Sequence, residues 1–451
     1  MQKARKPATT TPLRTIHPNA AGIDLGSRSH FVALPPGRSE EVVREFGCFT
    51  EDLEAMADWL LRQGITTVAM ESTGVYWVPV FEVLERRGLD VQLVSTKHLK
   101  SVPGRKTDVL DCQWIQHLHE CGLLRGSFRP PDEICVVRGL MRHKSSLVEE
   151  SSRHIQRMQK ALEQMNLQLH KVVTDITGTT GMAIIQAIVD GERDPEKLAT
   201  HRNYRCKKDE ATIAKALVGN WREEHLFCLK QGLAGYQFIQ NQIAECDAQA
   251  LQVWQGLKQN ANPADAPKPK SHHANPEVHR ALFAVAGTNL ASLPGFSTEN
   301  LQTLISEVGV DVSKWPSAKA FANWATLAPK NNISGGKRRR AGSHPLRQHR
   351  VAQSFRVAAQ TLVNSKTALG AFYRRMRGRK GSALANHATA HKLAKLYFEL
   401  LSRGETYVER GVAAYESRYR NHLIRNALNQ LRRFGMRLEP SAIAGLLPTV
   451  P

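Results

Sequence analysis

A chain of 451 residues has room for two or three domains, and its 41% hydrophobic content includes no apolar run approaching a membrane span, which excludes an integral membrane protein and predicts a soluble one. The formal net charge of +21 directs attention to polyanionic partners. The seven cysteines are odd in number and never spaced C-x-x-C, which excludes a disulfide scaffold or structural zinc and predicts reduced thiols in a cytosol.

Met1 to His17 is basic and polar, read with Pro18 as a tail over residues 1–18. Ala20–Leu25, Phe31–Leu34 and Glu41–Phe46 read as three strands, with Gly26-Ser27-Arg28-Ser29 and Pro35-Pro36-Gly37 as turns. Thr50 is placed as the N-cap of a helix reaching about Gln63. The β-prone run Thr66–Met70 ends at Glu71, and Ser72-Thr73-Gly74 punctuates it before a helix from Val75 to Arg87. A strand over Asp90–Ser95 and a helix opened by Lys106-Thr107-Asp108-Val109-Leu110-Asp111 complete the segment. Three strands, helix, strand, helix, strand is the order of a ribonuclease-H-like, RuvC-like α/β domain, bounded here at residues 19–130. His117, His119 and Cys121 lie on the last helix at alternate positions, which point in different directions and argue against a metal site.

Beyond Pro130-Pro131 the periodicity changes. Ile134, Met141, Val148, Ile155, Leu162 and Leu169 recur every seven residues, and Val137, Met158, Met165 and Val172 fill the d positions, with Lys144 and Ser151 as polar exceptions. Such heptads predict a coiled coil within a helical region over 131–258, hence a homo-oligomer, dimer or tetramer; the same pattern also suits a long helix packed on its own domain. Residues 259–277, rich in Pro, Asn, Ala, Lys and His, read as a linker. A second compact, mainly helical unit spans 278–404, followed by a basic helical tail over 405–451.

Two sets of residues carry chemistry. Asp24 lies on the first strand, Glu71 ends a later one, and Asp108 and Asp111 are three apart on one helix face. In a ribonuclease-H-like sheet these four carboxylates converge. Their mutual repulsion calls for a cation, and oxygen ligands suit Mg²⁺ or Mn²⁺ serving phosphodiester chemistry. Gly26 is expected to leave room for a phosphate, with Arg105 and Lys106 on flanking phosphates. The second set lies in a block from Val312 to Phe398 that contains no Asp or Glu. An acid-free stretch of this length predicts nucleic-acid contact, double-stranded DNA first. Within it Ser334 sits on a glycine-flanked loop with Lys337, Arg338, Arg339 and Arg340, and Arg374, Arg375 and Arg377 follow. Cations around a serine lower the cost of its alkoxide and hold the phosphate it attacks. Leu293-Pro294-Gly295-Phe296 before the helix Thr298–Val308 resembles a helix-hairpin-helix phosphate grip.

The stretches GIDLG, MESTGVYW, GRKTDVLDCQWI, GNWREEHLF, LAPKNNISGGK, ALGAFYRRMRGRKG and AHKLAKLYF, in this order between Ala21 and Leu400, resemble the DEDD transposases of the IS-one-ten family of bacterial insertion sequences, in the branch typified by IS-eleven-eleven. The resemblance implies a RuvC-like domain, a coiled-coil middle and a C-terminal transposase domain bearing a serine. It implies a cytoplasmic, nucleoid-associated bacterial recombinase guided by a structured bridge RNA. Asp24, Glu71, Asp108 and Asp111 match the family's Mg²⁺-binding acids, and Ser334 its 5′-phosphoseryl-forming serine. Phe296-Ser297, in place of a turn closing on a second glycine, and the Gly342–Gln348 stretch depart from the pattern. Two rival readings remain: a RuvC-type junction nuclease using water, and a non-enzymatic DNA- or RNA-binding protein.

Overall fold

The computed structural model describes residues 14–72, 74–95, 108–269, 271, 274–329, 333–334, 337–338, 349–404, 417, 420–421 and 424–435. The chain divides into two compact units, Met1–Arg129 and Pro130–Pro451. No described helix is long and apolar enough to cross a membrane, and the cysteines are free thiols.

The first unit is built on a five-stranded sheet of order β3-β2-β1-β4-β5. Strands β1 (Ala20–Leu25), β2 (Ser29–Ala33) and β3 (Val43–Gly47) form an antiparallel meander, while β4 (Thr67–Glu71) and β5 (Asp90–Val94) add in parallel beyond β1. This is the α/β class expected from the sequence. Alternation along the strands divides the core between two faces. Ile23, Val68, Met70 and Leu93 meet Leu53, Met56, Trp59 and Leu60 of α1 (Thr50–Arg62) and Val80, Phe81 and Leu84 of α2 (Trp77–Arg86). On the other face Ala69 and Val94 meet Ile115 and Leu118 of α3 (Asp108–Glu120). Thr50 is the first helical residue rather than the cap; Phe49 takes the cap position, and the Asp52 carboxylate accepts its backbone N–H at 3.2 Å.

The second unit is helical. Helix α4 (Asp132–Gln164) leads through the short helices α5 (Leu169–Val172), α6 (Thr179–Val189), α7 (Pro195–Ala199) and α8 (Glu210–Ala216) to α9 (Glu223–Gly256). Then follow α10 (Pro276–Ala286), α11 (Thr298–Val308), α12 (Ala318–Trp324), α13 (Arg350–Thr361), α14 (Ala368–Lys380) and α15 (Ser382–Arg403). Residues 424–433 are mostly helical as well.

The heptad seam of α4 finds its partner inside the chain. Met158 and Leu162 are fully buried in a core shared with Leu226, Leu229 and Leu233 of α9. The two polar d positions meet polar residues of the same helix: Lys144 pairs with Asp247, and the Gln240 amide donates to the Ser151 hydroxyl at 2.9 Å. Residue numbers rise on one helix as they fall on the other, so α4 and α9 pair antiparallel. Gly232 and Gly235 permit the approach, because a Cβ on either would strike Met158 Cγ at 2.9 Å or the His154 ring at 2.1 Å. Of the heptad residues on α4, Val148 stays exposed. The segment read as a linker is held against α10, with Asn260 donating from its backbone to the Ala284 carbonyl and from its amide to that of Val285.

A buried carboxylate ties α4 to the later helices. Glu307 of α11 is 5% exposed and receives two hydrogen bonds from Arg142 at 2.9 and 2.7 Å, with Arg138 at 3.1 Å and Arg350 at 3.9 Å. Burial pushes its pKa up, but the Arg142 hydrogen bonds and the three guanidinium charges outweigh it and hold the carboxyl below its ordinary value.

Candidate active site

One glycine marks where α3 meets the sheet. A Cβ on Gly22 would stand 2.3 Å from the Gln116 nitrogen and 2.4 Å from the Cys112 carbonyl, so the backbone of α3 lies directly on β1 at this point. Strands β1 and β4 run parallel, with Gly22 opposite Ala69 and Ile23 opposite Met70. One residue further along each strand stand Asp24 and Glu71. Both have the parity of Gly22 and Ala69, so both belong to the face covered by α3, at the carboxyl ends of the strands.

Helix α3 brings Asp111 to the same place. Cys112 is fully buried, and its thiol is raised to about 12 chiefly by that burial, and further by the negative charges of Asp24 and Asp111. The two carboxylates therefore act on one buried atom from different elements. Asp24, Glu71 and Asp111 are each half-buried and each engaged in contacts of their own. Asp108 opens α3, three residues before Asp111, and its side chain lies outside the described residues. Among the described residues no group of three or more His, Cys, Asp or Glu side chains stands ready to hold a metal.

Gly26 has a local reason: its backbone N–H donates to the Ser29 carbonyl at 3.0 Å, and a Cβ would lie 2.6 Å from that oxygen, so the β1–β2 turn itself requires glycine. His117, His119 and Cys121 diverge. His117 is exposed, whereas His119 is buried with its Nε2 2.9 Å from the Thr67 hydroxyl and its ring stacked on His17 at 5.3 Å. Burial, and then the His17 charge, lower His119 to about 4.

In the second unit Ser334 lies on β6 (Ile333–Ser334), paired antiparallel with β7 (Lys337–Arg338), Ser334 opposite Lys337. The serine expected on an open loop thus sits at the end of a hairpin strand, with two residues separating it from its partner strand. Arg105, Lys106, Arg339 and Arg340 lie outside the described residues, as does the Gly342–Gln348 stretch. Of the α14 cations, Arg374 donates to the Val363 carbonyl at 3.0 Å and the Ser365 carbonyl at 2.7 Å, Arg375 stands 5.8 Å from the Phe372 ring, and Arg377 is exposed.

Phe296, the departure noted in the Pro-Gly turn, is a core residue set edge-on to Phe355 at 5.8 Å. The turn before it rests on α13, where a Cβ on Gly295 would meet the Ala358 carbonyl at 2.4 Å.

Residues 21–167, which include all but the first residue of β1 and the whole of β4, α3 and α4, match a DEDD-type IS110 family model described as a transposase; residues 287–374, which include the serine hairpin, match the model described as transposase IS116/IS110/IS902 family. Together they cover just over half of the chain. The protein belongs to the IS110/IS116/IS902 transposase family. A curated relative, the putative transposase y4pF/y4sB of Sinorhizobium fredii, is 29% identical over 136 residues, a match covering 29% of this chain and 34% of the relative. The element order from β1 to α3 was legible before the structure. Gly22 stands in the sequence only as one residue of GIDLG, although a glycine inside an apolar strand is itself the signal for a close backbone approach.

Proposed function

We propose that this transposase cuts and rejoins DNA through a covalent link to Ser334, as the recombinase of a bacterial insertion sequence, with a structured RNA choosing the sites. The reading is supported by Asp24 and Glu71 at the carboxyl ends of neighbouring strands, on the face that α3 covers, and by the charges of Asp24 and Asp111 meeting at the Cys112 thiol. Carboxylates brought close together repel one another, and a bound cation relieves that repulsion. An all-oxygen donor set is the kind that suits Mg²⁺ or Mn²⁺, which Asp24, Glu71, Asp108 and Asp111 would hold. Such an ion, when bound, would neutralise charge developing on a phosphodiester.

The step at the serine balances without a co-reactant. The Ser334 hydroxyl oxygen attacks phosphorus, a serine–phosphate ester forms, the bond to the 3′ oxygen breaks, and the hydroxyl proton ends on that leaving oxygen. Ester exchange keeps the bond energy for rejoining, which hydrolysis would discard. Lys337, directly opposite Ser334 on the hairpin, and Arg338 supply positive charge for the phosphate.

One observation favours a second reading. The acids lie within a compact unit, Met1–Arg129, that does not contain Ser334. A nuclease using water at the acids alone would need no serine. Denaturing gels of the full chain with element-end DNA and its flanking RNA separate the two. Under the serine reading the parent forms a protein–DNA adduct, Ser334→Ala forms neither adduct nor recombinant, and Asp24→Asn or Glu71→Gln lowers both by about a hundred- to a thousandfold, the order expected when a group stabilising a charged transition state is lost. Recombination by Ser334→Ala at the parental rate would refute the serine and leave the nuclease.

A further inference from the structure

A row of basic side chains on α15 lies outside both the serine hairpin and the acidic end of the sheet. His387, His391 and Lys395 recur four residues apart, which sets them on one side of the helix over about 12 Å. Ala385, Thr389, Leu393 and Tyr397 on the far side are buried, and so are Ala390, Ala394 and Phe398 beside the row, which therefore runs along the edge of the core. Lys395 is exposed and the two histidines are half-buried.

Burial lowers the pKa of both histidines, and the surrounding cations lower them further. Arg356 of α13 acts on His387, against a hydrogen bond to the Leu327 backbone; Lys395, His387 and Lys392 act on His391. No carboxylate occurs between Val312 and Phe398, and Glu399, which follows one turn beyond Lys395 on the same helix, is paired with Arg403 at 3.2 Å. Two neutral imidazoles thus stand inside a field that already repels protons. A polyanion laid along the row would reverse that field.

The face also discriminates among polyanions. The Phe372 ring beside Lys392 has that Nζ 3.8 Å from its centroid and Arg375 at 5.8 Å, so cations occupy the positions an unpaired base would need for stacking on it. Without a stacking platform the surface suits a phosphate backbone and not splayed bases. Its length covers about three steps of 3.4 Å rise along one strand of a duplex.

We propose that the His387–His391–Lys395 row of α15, flanked by Arg356 and Lys392, is a docking surface for the phosphate backbone of duplex DNA, and that DNA binding there takes up protons on the two histidines. This rests on the reading of the protein as a DNA recombinase. The phosphates raise the histidine pKa values from their lowered positions, so binding strengthens as pH falls through the window between the free and the bound values. An enzyme holding two DNA segments at once gains a second grip distinct from the reacting serine.

The test uses the full-length protein and a mixed-sequence duplex DNA, with affinity measured by fluorescence anisotropy between pH 5.5 and 8 and proton uptake by calorimetry in two buffers of different ionisation enthalpy. The parent should bind at least about tenfold tighter at the acid end and take up more than one proton. His387→Gln/His391→Gln should lose most of both effects, and the exposed Lys395→Glu should weaken binding and reduce the salt slope by about one. Lys395→Glu guards against misfolding of the histidine variant, since it alters a solvent-exposed position. Unchanged pH dependence in the histidine variant with an unchanged salt slope in Lys395→Glu overturns the surface. So does a loss seen only with an RNA duplex of the same sequence. A parent protein that binds no duplex DNA at all refutes the recombinase reading itself.

Discussion

Gly22→Ala adds one methyl group at the point where α3 lies on β1. Built on the backbone, that Cβ stands 2.3 Å from the Gln116 nitrogen and 2.4 Å from the Cys112 carbonyl oxygen, with the Gln116 Cα at 2.7 Å. All three are main-chain atoms of one helix, so no side-chain rotation relieves them. Van der Waals contact begins near about 3.5 Å, which requires α3 to withdraw by roughly 1 Å. Overpacking of this kind costs about 1–3 kcal/mol, and a rigid helical backbone places the change at the upper end. For a unit of this size that corresponds to a Tm lower by about 10 °C. The same displacement carries Asp111 away from Asp24, and if the acids act as proposed, a 1 Å misplacement of reacting groups costs about a hundredfold in rate. The expected outcome is a folded protein at 20 °C, melting early by circular dichroism, whose strand cleavage falls about a hundredfold. A Gly22→Ala protein that melts within a degree of the parent and cuts DNA at the parental rate would refute the close approach of α3 as the device that assembles the acids.

Glu307→Gln leaves the Arg138 guanidinium buried without its counter-charge, and should cost about 3 kcal/mol of the second unit's stability, read as a shift in urea midpoint. Because Glu307 is held below its ordinary value, its contribution is complete above pH of about 4.3 and declines as pH falls through the lowered value, so the variant and the parent should converge in acid. His119 works in a nearby pH range: held neutral down to about 4, it lets the unfolded chain bind a proton that the folded chain refuses. Stability should therefore fall by about 3 kcal/mol as pH drops from about 6.5 to 4, and His119→Gln should flatten that slope in urea titrations.

The heptads show where periodicity stops being informative. Spacing of seven identifies an apolar seam on α4 but is blind to whose helix fills it. Lys144 and Ser151 look like flaws when the seam is imagined against a copy of itself. They become intelligible opposite Asp247 and Gln240, because a polar residue in a seam is inexpensive only when a particular partner satisfies it. The basic row on α15 was equally hidden, since His387 and His391 lie among alanines within AHKLAKLYF and its flank, and only their shared helix face and the Arg356 charge arriving from α13 make them a surface.

What the amino-acid order determined by itself was local and periodic: the strands with their period of two, the strand ends where Asp24 and Glu71 stand, the helix carrying Asp108 and Asp111, and an acid-free block around Ser334. Those properties depend on residues close in sequence, and they also carry the family resemblance. What the tertiary structure alone decided was closeness between distant backbones. Gly22 meets α3 across some ninety residues of chain, Asp24 and Asp111 come to act on one thiol, α4 folds back on α9, and Glu307 gathers arginines from two other helices. Long-range contacts of this kind leave no period in the sequence, because each is set by the volume and charge that the rest of the fold happens to bring to one point.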